Sequence, residues 1–350
     1  MKIKSIKQAK NLKGKRVIIR VDYNLPFKKG KLDFSEHLRI KASFETIEYL
    51  RKKGANIILV AHLDRPNGWE KKFSLAPVAK YLEKAIGQKV NFIKVNIEKK
   101  NAAGKIKPGI NMLENIRFYK GEQEGDAEFA RRLASLGDIF VNEAFSVSHR
   151  KDVSVAGLPE LLPAYAGLHL EKEIKNLSRL LPKNTKAQNR PYVALMGGAK
   201  ISTKINLIES FLKSADNVLL GGALISNILK QQGYAIGNTY IEKNSTKVVE
   251  KIYKNKKVVL PADVIVGKKD EPKSARIVRL QDGKKLCKKG EGILDIGPET
   301  VLRFSKYIKP ASTIVWNGPM GYFENIAFAY GTFSLARLIA SRGKGQAYAV

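Results

Sequence analysis

The chain repeats one hand-over. A short apolar run ends, a polar or glycine-rich turn follows, and helical periodicity takes over. Arg16–Val21 (RVIIRV) reads as a buried strand, and residues 39–53 carry helical periodicity. Asn56–Ala61 (NIILVA) is the next strand, Leu75–Ile86 a helix, and Asp138–Val141 (DIFV) another short strand. Glu171–Leu181 is amphipathic and ends before Pro182, and LPKNTKAQNRP is then polar with a proline near each end. Beyond it Tyr192–Met196, Asn217–Leu220, Lys257–Leu260 and Thr313–Trp316 resume the strand pattern. Strands alternating with helices predict parallel sheets. A polar, proline-flanked segment predicts a domain boundary. The expected fold class is therefore α/β, with two domains of parallel sheets flanked by helices and joined by an interdomain helix. The expected bounds are 1–170, a helix and linker over 171–188, and 189–350.

The net charge of +32 admits two readings. A basic protein binds nucleic acid or an anionic surface, or it carries a lysine-rich solvated face. The lysines are scattered from end to end, and zinc-finger spacing, an RRM signature and a basic zipper are all missing. The scattered-surface reading is therefore preferred, and nucleic-acid binding is kept as the competing class. No stretch is apolar for long enough to span a bilayer. The basic first residues lack the apolar run of a secretory signal. The single cysteine, Cys287, rules out an internal disulfide. A reducing, cytoplasmic compartment is expected.

In open parallel sheets, ligands sit beyond the carboxyl ends of the strands. After RVIIRV come Asp22 and Asn24, and after NIILVA come His62, Asp64 and Arg65. Arg117 lies in ENIRF, placed near the start of a candidate strand. Arg150 follows DIFV, and Arg39 opens the first helical stretch. A lone arginine after a strand is usually a surface residue. Guanidinium groups recurring at successive strand ends instead suit a small ligand with several anionic groups.

The second half offers glycine and lysine. Gly197-Gly198-Ala199-Lys200 follows YVALM, Gly221-Gly222 follows NVLL, and Asn317-Gly318-Pro319-Met320-Gly321 follows TIVW. Glycines let backbone approach phosphate oxygens, and helix N-termini favour anions. Lys200 and Lys204, four apart, are expected on one helix face. Neither GxxxxGK[ST] nor GxGxxG occurs, so the P-loop and dinucleotide readings fail on spacing.

With these residues in place, the chain resembles phosphoglycerate kinase. RVDYNLP, EHLRI, AHLDRP, LENIRF, VNEAFSVSHR, GGAKISTKI, DIGPET and TIVWNGPMGYFE stand in the family's order over nearly the whole chain. The resemblance implies two Rossmann-like domains. One holds 3-phosphoglycerate or 1,3-bisphosphoglycerate, the other ADP or ATP with Mg²⁺, and the enzyme is a monomer. It places Asp22, Asn24, Arg39, His62, Arg65, Arg117 and Arg150 on phosphoglycerate. It places Lys200, Lys204, Asn317 and Glu324 on the nucleotide side, with Glu324 near the ribose. The implied chemistry is direct in-line transfer, with Arg39 and Lys204 facing the phosphoryl group and hinge closure excluding water.

Four positions depart from the family pattern: Asp64 for glycine, Glu143 for aspartate, Ser146 for glycine and Thr203 for aspartate. Asp64 is expected to neutralise part of the anion site. The sequence closes at AYAV, read as a strand, before the family's GGGDT loop, which carries the aspartate expected to serve the metal. Weak transfer is the resulting expectation, from a fragment or from a short form that only binds phosphoglycerate.

Overall fold

Val17, Ile19 and Val21 belong to one apolar core, while Ile18 and its neighbours Ile58 and Phe140 belong to another. Successive side chains of a strand point to opposite faces, so this split means that the sheet is covered on both sides. The computed structural model describes residues 3–94, 96–97, 102–180, 190–198, 200–242, 246–342 and 347–350. The expected linker, the helix end at Pro182, Ala199 and Asn244-Ser245 lie outside them. The chain divides into two units, Met1–Lys175 and Asn176–Val350.

The first unit contains β1 (Arg16–Arg20), a hairpin of β2 (Phe27–Lys28) and β3 (Lys31–Leu32), then β4 (Asn56–Val60), β5 (Val90–Ile93), β6 (Ile110–Leu113), β7 (Ile139–Asn142) and β8 (Ala164–Ala166). Six of these form one sheet in the order β5-β6-β4-β1-β7-β8, and every pair in it is parallel. The helices Phe44–Lys52 and Ala76–Ile86 supply Ile47, Leu50, Val78 and Leu82 to one face. The helix Ala127–Ala134 supplies Phe129 and Leu133 to the other. Arg20 pairs with Val60 on one side and Asn142 on the other, so these three strands end level. The chain leaves β1 toward β4 and returns on the far side as β7. That reversal is the switch point at which a crevice opens.

The second unit contains β9 (Tyr192–Met196), β10 (Asn217–Leu220), β11 (Val258–Val259), β12 (Asp263–Lys268), β13 (Glu271–Arg279), β14 (Gly292–Ile296), β15 (Thr313–Asn317) and β16 (Tyr348–Ala349). Its parallel sheet runs β11-β10-β9-β15-β16, with Met196 level with Leu220 and Asn317. Tyr192, Ala194 and Met196 pack on one core, Val193 and Leu195 on a second. AYAV is a strand as expected, β16 pairing with β15.

Three features depart from the sequence reading. A second, antiparallel sheet, β13-β12-β14, was not expected. Its β13 is largely solvent-facing, so it never presents an apolar run. Strands β5 and β6 were also missed, because Asn91 and Asn111 interrupt their short apolar runs. As a result Glu114–Phe118 follows a strand rather than opening one. The helix expected to begin at Glu171 is displaced too: it spans Leu168–Ser178. Glu143, buried after β7, accepts from the backbone N–H groups of His169 (3.2 Å) and Leu170 (3.0 Å) and so caps its first turn.

Candidate functional site

In the first unit the site is assembled from the turns beyond β1, β4, β6 and β7. Asn115, fully buried, ties two of these turns together. Its Oδ1 accepts from the N–H groups of Leu63 (3.1 Å) and Arg117 (3.2 Å), and its Nδ2 donates to Leu63 O (2.8 Å) and Phe73 O (3.0 Å). Asn24 Oδ1 accepts from the Asp64 N–H at 2.8 Å, binding the β1 turn to the β4 turn. Arg39, in the short helix Leu38–Lys41, donates to Asp22 Oδ2 at 2.8 Å, and Ser146 Oγ donates to the same oxygen at 2.7 Å.

The cations gather around His62. Burial, and then the positive fields of Arg20, Arg117, Arg150 and Arg39, push the imidazole pKa down to about 2. The ring is therefore neutral at ordinary pH. Arg117 is 4% exposed and donates from Nη1 to Asp64 O at 2.6 Å. Its nearest carboxylate oxygen, Asp152 Oδ2, is 3.8 Å from Nη2, outside hydrogen-bond range. Arg117 Nε and Nη2 and Arg150 Nε are buried donors that lack an acceptor. Leaving such groups unpaired costs about 1–3 kcal/mol each, so their retention points to an anion as the missing partner. Arg65, exposed, adds its field to Arg117.

Asp64 stands exposed in the turn after β4. Its carboxylate accepts from the Arg65 backbone N–H at 2.9 Å instead of pairing with the guanidinium. Its φ of +56° lies in the left-handed region. Aspartate tolerates that region better than most residues but less well than glycine, which explains a glycine preference at this turn.

In the second unit Lys204 is the focal cation. It caps the helix Ile205–Ser214, and its Nζ donates to Gly197 O (2.6 Å), Asn317 Oδ1 (2.7 Å) and Asn317 O (3.3 Å). Burial lowers its pKa. A Cβ on Gly198 or Gly318 would stand 2.9 or 2.5 Å from that ammonium. Lys200 is exposed and lies ahead of the helix, so the two lysines do not share a helical face. The chain between them is a turn whose Thr203 hydroxyl donates to Lys200 O at 2.9 Å. Local hydrogen bonding by such residues competes with helix formation.

The glycines also do something other than expected. The N–H groups of Gly197, Gly198, Gly221 and Gly222 donate to the carbonyls of Asn317, Pro319, Met196 and Met320, each at 2.9 Å. They bind three turns to one another rather than pointing at a ligand. Beside them lies a cavity of about 650 Å³ whose lining includes Gly222, Asn238, Tyr240, Asp295, Tyr322 and Glu324. That volume suits a nucleoside-sized ligand. Glu324 is on the cavity wall, whereas Asn317, the last residue of β15, and the Lys204 it holds are not part of the lining.

The family model described as phosphoglycerate kinase matches residues 6–350. The chain belongs to the phosphoglycerate kinase family. A phosphoglycerate kinase of Moorella thermoacetica is 40% identical over 342 residues, covering 94% of this chain and 84% of that protein. One from Thermosipho africanus is 42% identical over 344 residues, covering 94% and 82%. Among solved structures, a phosphoglycerate kinase from Coxiella burnetii superposes with a TM-score of 0.82 at 37% identity, covering 99% of this chain and 87% of that one. The Pyrococcus horikoshii enzyme gives 0.83 at 28%, with the same coverage.

Sequence reasoning passed over Arg20 and Asp295, both buried. Arg20 sits inside RVIIRV, and a charge within a buried strand is the signal that would have marked it. Asp295, in the strand that includes LDI, accepts from the N–H groups of Ile296 and Gly331 at 2.8 Å, and burial pushes its carboxyl up to about 7. Glu122 and Ser154, which bond to each other beneath Arg20, gave no sequence signal. No helix among the described residues is long and apolar enough to cross a membrane.

Proposed function

We propose that this chain transfers a phosphoryl group reversibly between 1,3-bisphosphoglycerate and ADP, giving 3-phosphoglycerate and ATP. The observation that carries the reading is the set of unpaired guanidinium donors on Arg117 and Arg150, in a family whose members are named for this reaction. Asp22, Asn24, Arg39, His62, Arg65, Arg117 and Arg150 hold phosphoglycerate. Bidentate guanidinium contacts match phosphate and carboxylate oxygens. Lys200, Lys204, Asn317 and Glu324 serve the nucleotide, Glu324 at the ribose end of the cavity.

In-line transfer asks little covalent chemistry of the protein. It needs donor and acceptor aligned, negative charge neutralised and water excluded. Arg39 and Lys204 are assigned to the migrating phosphoryl group, which requires the two ligand sites to approach during turnover. Mg²⁺ bound with the nucleotide would supply further charge neutralisation. Among the described residues no three His, Cys, Asp or Glu side chains gather as a metal cage. A monomer in a reducing cytoplasm completes the reading.

The test is ATP formation from 1,3-bisphosphoglycerate and MgADP, followed in a coupled assay with the 350-residue chain. Turnover that depends on both 1,3-bisphosphoglycerate and MgADP is expected. Nucleic-acid binding that is tighter than phosphoglycerate binding, and falls steeply with salt, would favour the competing class.

A further inference from the structure

Arg20 is the last residue of β1 and is completely buried. Each of its nitrogens has a partner. Nε donates to Ser154 Oγ at 2.8 Å, Nη1 to Val21 O at 2.7 Å, and Nη2 lies 2.9 Å from His62 Nδ1. Ser154 Oγ donates onward to Glu122 Oε1, and the Ser154 N–H donates to Glu122 Oε2 at 2.9 Å. A guanidinium has only donors. His62 Nδ1 must therefore be the acceptor, which leaves the ring proton on Nε2.

We infer that Arg20 is a positioning residue for His62, locking the imidazole as the Nε2–H tautomer so that it offers the bound phosphoglycerate one uncharged donor. This rests on the phosphoglycerate reading above. The groups facing His62 are Arg20, Arg117, Arg150 and Arg39, all cationic. Those facing Arg20 are Glu122, Asp22, Asp152 and again Arg117. Protonating His62 would place a second donor against Arg20 and break their bond. It would also add a positive charge among four others. The arrangement separates two tasks: the arginines supply charge, and His62 supplies direction. A hydrogen bond from a fixed N–H demands an acceptor oxygen in one place, whereas a mobile cation does not. Burial lowers the Arg20 pKa and the field of Glu122, reached through Ser154, opposes that, while burial pushes Glu122 itself up to about 7.

The decisive measurement is long-range ¹⁵N–¹H NMR of the full chain. It has only four histidines, and His62 is assigned by loss of its signals in His62→Gln. The expected spectrum is Nε2–H, unchanged between about pH 5 and 8. A ring protonated on Nδ1, or one titrating near its ordinary value, overturns the inference. Arg20→Met should let the ring titrate and raise the KM for 3-phosphoglycerate by about tenfold, the size of one hydrogen bond, with kcat less affected. Arg20→Lys, which keeps a donor, should restore the tautomer. If Arg20→Met does not fold, the spectrum of the unaltered chain still decides. Adding 3-phosphoglycerate separates the two readings. A correct tautomer whose signals ignore the ligand sinks the phosphoglycerate assignment, whereas a wrong tautomer that responds sinks only the role of Arg20.

Discussion

Arg39 and Asp22 are joined by a 2.8 Å hydrogen bond, and Ser146 donates to the same carboxylate oxygen. The Arg39 side chain remains 45% exposed, so the pair adds less than about 1 kcal/mol to stability. Its value is in aim. Arg39→Ala should lower kcat by about 10²–10³ with an almost unchanged melting temperature. Ser146→Ala, which frees one constraint on Asp22, should cost only a few-fold. Equal losses of kcat in both variants would count against the assigned role of Arg39.

Arg117 should trade stability against binding. Two of its nitrogens are buried without an acceptor, so Arg117→Met is expected to stabilise the unliganded chain by about 1–2 kcal/mol. The same variant should lose the melting-temperature rise that 3-phosphoglycerate gives the parent. A variant that is both less stable and still protected by ligand would contradict the unpaired-donor argument.

His62 gives a pH signature of definite sign. Its folded pKa is near 2 against an ordinary 6.5. Between those values the unfolded chain binds a proton that the folded chain refuses, so stability falls as pH drops below 6.5. The slope approaches about 1.4 kcal/mol per pH unit. Glu122, raised from 4.5 to about 7, works in the opposite direction in the upper part of that range. Comparing the parent with His62→Gln isolates the histidine. Between about pH 6.5 and 5 the parent should lose roughly 1.6 kcal/mol more than the variant in urea titrations.

Lys204 and Lys200 should separate cleanly. Lys204→Met removes the donor to the Gly197 carbonyl and to the Asn317 side-chain oxygen and should cost about 1–3 kcal/mol along with most of the turnover. Lys200→Met, at an exposed position, should stay within about 0.5 kcal/mol in stability while raising the KM for the nucleotide. Thermal melts and steady-state kinetics on the two variants check this.

Asp64→Gly should relieve the left-handed backbone and remove a carboxylate from a field of arginines. A few-fold tighter binding of 3-phosphoglycerate is expected by calorimetry. Asp64→Val should destabilise by about 1–2 kcal/mol, because a branched side chain resists that φ.

Much of this architecture was legible because both faces of each parallel sheet are buried. That condition leaves uninterrupted apolar runs such as RVIIRV and YVALM, whose ends point to the ligand edge. What escaped notice lacked that contrast. Strand β13 faces solvent, and β6 hides Asn111, which is buried and donates to Ile57 O. The cationic cluster could be proposed from residue types at strand ends. Its tautomer, its unpaired nitrogens and the diversion of Asp64 onto a backbone N–H depend on distances that no spacing encodes. The turn at Thr203 was misread because a four-residue interval resembles a helical repeat whether or not a helix is present.

The interlaced turns of the second unit restrict how such a surface can vary. A Cβ on Gly197 would lie 2.0 Å from Pro319 O, and one on Gly222 would lie 2.6 Å from Gly198 N. The three segments touch backbone to backbone, so lengthening any one of them would prise the other two apart. Diversity on this plate is confined to the side chains along its margin, while its spine tolerates neither insertion nor bulk.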